Sequence, residues 1–139
     1  MSTEDNKTRA RRFIEEVWNQ GNVAVIDELA APSFSDPGLL PPVQGLEGLK
    51  QYVTMYRTAF PDVYFTIDDQ IAEGDKVVTR FTATGTQKGE LMGIAATGRR
   101  ATVMGITITR YENGKVVESW SNFDALGMMQ QLGVVPSMG

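Results

Sequence analysis

Apolar residues at Ala10, Phe13, Ile14, Val17 and Trp18 recur at the spacing of one helical face, and Asn19-Gln20-Gly21 ends the pattern. Asn22 is placed to cap a second, shorter helix carrying Val23, Ile26 and Leu29, which Pro32 terminates. From Ser33 to Pro42, prolines and a glycine interrupt any period, so this stretch reads as irregular with Phe34, Leu39 and Leu40 to bury. Leu46, Leu49, Val53, Tyr56 and Phe60 then mark a third helix, stopped by Pro61.

Beyond Pro61 the period changes to two. Strands are predicted over Val63–Ile71, Lys76 to about Gln87, Arg100–Tyr111 and Lys115–Phe123. Glu73-Gly74-Asp75 turns between the first two, and Asn113-Gly114 between the last two, the preferred pair where both turn residues need positive φ. A short helix over Asp124–Leu132 closes the pattern, followed by Val134 and Val135. Helices followed by a meander of long strands imply an α+β domain, with three N-terminal helices packed on a long curved antiparallel sheet. Long strands twist, so the helices cover a trough incompletely and leave a pocket for a small, mostly apolar molecule.

Composition narrows the chemistry. At 139 residues with 42% hydrophobic content, the chain supports one core, hence a single domain over residues 1–139. The net charge of −4 and the lack of a concentrated basic surface argue against nucleic acid as a partner. No apolar stretch approaches a membrane span and no leader pattern opens the chain, so the expectation is a cytoplasmic protein without membrane contact. There is no cysteine and no histidine, which removes thiolate nucleophiles, Ser-His-Asp triads and the usual zinc ligand sets. Carboxylates, arginines, tyrosines and amides remain.

Strict alternation puts Val116, Glu118, Trp120, Asn122 and Asp124 on one face of the last strand. The same parity joins Arg80 on the second strand with Met104 and Ile106 on the third. A tryptophan beside a carboxylate describes a pocket better than a solvated surface, so this face is expected to look inward. Val77, Phe81, Val103 and Val117 then fall on the outer, convex face, apolar enough to predict a homodimer through it. Tyr52, Tyr56 and the methionines Met55, Met92, Met104, Met128 and Met129 suit a pocket lining, as they would suit core filling.

Along nearly its whole length the sequence resembles the SnoaL-like polyketide cyclases, or ester cyclases, of the nuclear-transport-factor-like superfamily, whose fold is a cone-shaped α+β. The likeness rests on Ala59-Phe60-Pro61-Asp62, Gly74-Asp75-Lys76-Val77-Val78 with Arg80, Gly85-Thr86, Thr97-Gly98-Arg99, Asn113-Gly114-Lys115, Glu118-Ser119-Trp120, Asp124 and Gln131-Leu132-Gly133. The resemblance implies acid/base chemistry, an aldol-type cyclisation or related isomerisation of a polyketide-like substrate, with no metal or organic cofactor. It matches Asp124 to the family's proposed acid/base. Two histidines typical of the family are replaced, by Ser35 before the first Asp-Pro and by Gln87 after Gly85-Thr86. Asp124, Gln87 and Arg80 are therefore the expected catalytic set, the last two as oxyanion donors. Trp120, Asn122, Tyr56, Met104, Ile106 and Ser35 are the expected ligand contacts. Alternatives are an epoxide-hydrolase-like enzyme using Asp124 with Arg80 or Arg110, and a non-catalytic carrier of an apolar ligand.

Overall fold

The computed structural model describes residues 2–135. Helix α1 (Thr3–Arg12) begins well before the apolar pattern, because Ser2 and Asp5 form a reciprocal capping box and its first turns are polar. The helix then widens into a π-helical stretch over Phe13–Asn19, with Gln20 N–H donating to Glu15 O at 3.1 Å. Widening brings side chains five positions apart onto one face, so Phe13 and Trp18 both reach the interior.

Asn22 makes no side-chain cap, and the second helical segment is a 3₁₀ turn (Val23–Val25) running into α2 (Ile26–Leu29). It ends at Leu29, because Ala30 is already extended and opens strand β1 (Ala30–Asp36). The segment expected to be irregular is thus a strand as far as Asp36. Pro32 is tolerated because the pairing with the neighbouring strand is interrupted between Ala30 and Ser35. β2 (Val43–Gln44) and α3 (Gly45–Ala59) follow, then β3 (Tyr64–Glu73), β4 (Lys76–Thr86), β5 (Arg100–Glu112), β6 (Lys115–Phe123) and α4 (Ala125–Gln131).

The strands form one sheet in the order β2-β1-β6-β5-β4-β3. β3 to β6 are the predicted antiparallel meander, and Asn113 and Gly114 both take positive φ at its last turn. β1, however, runs parallel to β6, so the sheet is mixed rather than antiparallel. The first helix and α3 lie across its concave face, where Val17, Ile26, Val53 and Ala59 are fully buried. Burying each of the three larger side chains is worth about 1.5–3 kcal/mol.

The choice of inward face is reversed from the sequence expectation. Val77 is fully buried, Val103 and Val117 are buried, and Phe81 lines the interior, so the set assigned to a dimer surface belongs to the inside. Met104, Ile106 and Trp120 face out, with exposures of 65%, 47% and 37%. The reason is electrostatic. Arg80, Arg110 and Glu118 share their parity with Trp120, and charged groups stay in water unless fully paired. On that outer face Arg110 Nε sits 2.7 Å from Glu118 Oε1 and Nη1 2.8 Å from Glu112.

Alternation also fails locally. A bulge shifts the β5–β6 register between Arg110 and Tyr111, so that Arg110 pairs with Glu118 and Tyr111 with Val116. Val116 and Ser119, three positions apart, consequently both face the interior.

Candidate functional site

Between the helices and the concave sheet lies a cavity of about 190 Å³. Ala10, Phe13, Ile14 and Trp18 close it from the first helix, and Tyr52 and Tyr56 from α3. These rings interlock. Trp18 meets Tyr52 edge-on at 6.1 Å and Tyr56 at 6.5 Å, while the two tyrosines lie 4.9 Å apart. On the sheet side, Phe81, Val103 and Phe123 supply most of the apolar wall.

Two adjacent cross-strand pairs break that apolar surface with hydroxyls: Thr109 opposite Ser119, and Thr107 opposite Ser121. Behind the serines stands Asp36, at the end of β1 and fully buried. Its Oδ2 accepts from Ser119 Oγ at 2.5 Å and from Ser121 Oγ at 2.7 Å, and its Oδ1 accepts from Gly38 N–H at 3.0 Å. Among the described residues no lysine or arginine forms an ion pair with it. Burying a carboxylate away from any cation costs several kcal/mol. Three hydrogen bonds to a charged acceptor, at about 1.5–3 kcal/mol each, offset that cost. An apolar side chain would fill the position without it, which marks Asp36 as a functional candidate.

Sequence reasoning missed this residue. Asp36 sat in a segment read as irregular, noted only as the aspartate of an Asp-Pro pair. Phe34 and Asp36, alternating at the end of a short strand, were the available signal. Its partners Ser119 and Ser121 share by alternation the strand parity of Val117, which is expected on the outer face.

Elsewhere the phenols are held neutral. Burial, with the neighbouring Tyr56 and Asp36 adding to it, pushes the Tyr52 hydroxyl well above the ordinary tyrosine range, and burial pushes Tyr56 up too. Tyr111, also in the cavity wall, is raised to about 12 by burial. Arg9 brings a guanidinium to the lining, its Nη1 donating to Asn6 Oδ1 at 3.0 Å.

Of the residues singled out from the sequence, Tyr56 lines the cavity. Trp120, Asn122, Met104 and Ile106 are exposed on the opposite side of the sheet. Arg80 is on that outer side, half exposed and 3.8 Å from Asp68, and Arg110 is held there by Glu118 and Glu112. Ser35 pairs in register with Gln44 and Glu118, and its neighbour Asp36 makes the bonds to the serines. Gln87 is fully buried outside the cavity lining. Its Oε1 accepts from Thr97 N–H at 3.2 Å and Thr97 Oγ1 at 2.8 Å, and its Nε2 donates to Ile94 O at 3.2 Å. Those bonds pin the connection between β4 and β5. Asp124 is exposed and caps α4, Oδ1 accepting from Gly127 N–H at 2.8 Å. It stands between Phe123 and Met128, both of which line the cavity.

The fold is a curved sheet roofed by helices, with a largely apolar cavity between them and a carboxylate behind two serines of its wall. The chain belongs to the SnoaL-like polyketide cyclase family, whose sequence profile matches residues 8–132. It is 30% identical over 127 residues to the aklanonic acid methyl ester cyclase DnrD of Streptomyces peucetius, covering 88% of this chain and 87% of that protein. Among solved structures, TsrD from Streptomyces laurentii superposes with a TM-score of 0.88 at 32% identity, covering 97% of this chain and 99% of that one. IdmH from Streptomyces antibioticus gives 0.79 at 30% identity, with 93% and 99% covered. No helix among the described residues is long and apolar enough to cross a membrane.

Proposed function

We propose that this chain is a cyclase-type enzyme that moves protons on a small, mostly apolar, polyketide-like molecule held in the cavity. The observation carrying this reading is the fully buried Asp36 bonded to two serines of the cavity wall. An aldol ring closure conserves oxidation state. A base takes the proton from a carbon flanked by carbonyls, the resulting enolate attacks a ketone to form the new carbon–carbon bond, and the alkoxide takes up a proton. A carboxylate in partly dry surroundings suits both proton transfers.

Two carboxylates are candidates for that role. Asp36 is supported by its contact with the cavity wall. Asp124 is supported by its match to the family's acid/base position and by its place between two lining residues. Arg80 and Gln87, proposed from the sequence as oxyanion donors, have less support: one points away from the chamber and the other has its amide engaged by Ile94 and Thr97. Tyr52 and Tyr56, phenols on the opposite wall, line the chamber and would donate to an enolate oxygen by exchanging their present bonds, Tyr56 Oη donating to Leu40 O at 3.4 Å and Tyr52 bonding Tyr56.

The reading extends to a homodimer through the outer sheet face. Ile71, Val78, Ile108 and Trp120 form one cross-strand row there, with Met104 and Ile106 beside it.

The test is turnover of an aromatic polyketide methyl ester bearing a flexible β-keto side chain, followed chromatographically. Cyclised product above the background rate is expected, and the rate should fall when Ala83→Trp fills the cavity. Tight binding of the ester without turnover would make the chain a non-catalytic carrier, and equal rates in both proteins would overturn the reading.

A further inference from the structure

Three of the four wall hydroxyls in front of Asp36 are turned one way, Thr109 donating instead toward Val77 O and Tyr111 Oη, and that orientation selects the ligand. Each serine has a single O–H proton. Ser119 and Ser121 both spend theirs on Asp36 Oδ2. Thr107 Oγ1 lies 2.9 Å from Ser121 Oγ, and because the Ser121 proton is already committed, Thr107 is the donor in that pair. Three adjacent hydroxyls therefore point their protons along the wall toward Asp36. What they offer the cavity is oxygen lone pairs, polarised by a carboxylate with no cation beside it.

We propose that Ser119, Ser121 and Thr107, aligned by Asp36, form a subsite that accepts a hydrogen bond from a hydroxyl group, phenolic or enolic, on an aromatic ligand. A ligand carbonyl or ether oxygen placed there meets lone pairs and gains nothing. Most of the remaining lining is apolar or aromatic, with Arg9, Thr79, Thr84 and Thr109 as its other polar side chains, so the ring system packs against Phe81, Trp18 and Phe123 while its hydroxyl meets the serines. This deepens the reading of the cavity as a ligand site and rests on it. Sites built around a hydrogen bond discriminate strongly against analogues lacking it, because buried polar groups are then left without partners.

The test compares 2-naphthol with 2-methoxynaphthalene by titration calorimetry on the full chain near neutral pH. The ether is the more hydrophobic molecule, so an apolar cavity with no such subsite prefers it, and the sign of the preference is itself diagnostic. Naphthol is expected to bind at least about tenfold more tightly. Ser121→Ala, which leaves Asp36 bonded to Ser119 and Gly38, should cut that preference several-fold while the chain stays folded with a melting temperature lowered by a few degrees, the loss of one bond to the buried carboxylate. Asp36→Asn should go further. Its amide donates to one serine oxygen and frees that serine's proton to face the cavity, so 2-naphthaldehyde, an acceptor, should gain affinity. Ether binding as tightly as naphthol, or a preference unchanged in both variants, overturns the subsite and leaves the cavity reading standing. Failure of every naphthalene to bind takes down both.

Discussion

Ser121 Oγ donates to Asp36 Oδ2 at 2.7 Å, joining positions 85 apart in the chain. The contact exists because β1 runs parallel to β6 and delivers the end of a seven-residue strand to the back of the cavity wall. If this carboxylate is the reacting base, Asp36→Asn lowers kcat by at least ~10²-fold, the usual worth of a positioned base. Asp124→Asn keeps the α4 cap, since asparagine caps as well as aspartate, and is expected to lose less than tenfold with no change in melting temperature. The reverse order of losses would assign the base to Asp124.

Gln87 acts on stability. Replacing it with leucine removes one of the two bonds to Ile94 O, which keeps Leu91 N–H at 2.9 Å, and both acceptor bonds to the partly buried Thr97. A loss of about 1–3 kcal/mol is expected from urea denaturation, with naphthol affinity within a few-fold of wild type. A neutral effect on stability would show that the β4–β5 connection is held by its other bonds.

The outer sheet face should pair two copies. Light scattering at micromolar concentration is expected to return twice the chain mass, and Trp120→Glu combined with Ile106→Glu should return the single mass. Both side chains are exposed, so a folded monomer is the expected product. A wild-type chain that is already monomeric refutes the pairing.

Tyr111 predicts an alkaline limit. Its pKa in the fold is about 12, against the ordinary tyrosine value near 10. A raised pKa means that the stability it contributes is complete below about pH 10 and is lost as pH climbs towards about 12, because the unfolded chain ionises first. Melting temperature should fall across that window, and the slope should be shallower in Tyr111→Phe. Identical slopes would assign the loss to other groups.

Elements set by local chemistry were legible without coordinates. The 3.6-residue period of α3, the Asn113-Gly114 turn and the four long strands follow from side-chain spacing and backbone preference, which neighbours in sequence largely decide. The resemblance likewise pointed to the family that the profile and relatives establish. Periodicity was blind to α1's polar first turn, and it did not report the π-helical widening that turns Phe13 and Trp18 together.

The site belongs to the tertiary structure. Alternation says which residues share a face, but only the packing of helices on one side says which face is inside. Here the burden of Arg80, Arg110 and Glu118 sent Trp120 outward. A single bulge beside Tyr111 put Val116 and Ser119 on the same side. Asp36 became a site because a parallel pairing between distant strands surrounded it with hydroxyl donors. That non-local pairing leaves no period in the chain, since neither strand carries a local mark of its partner.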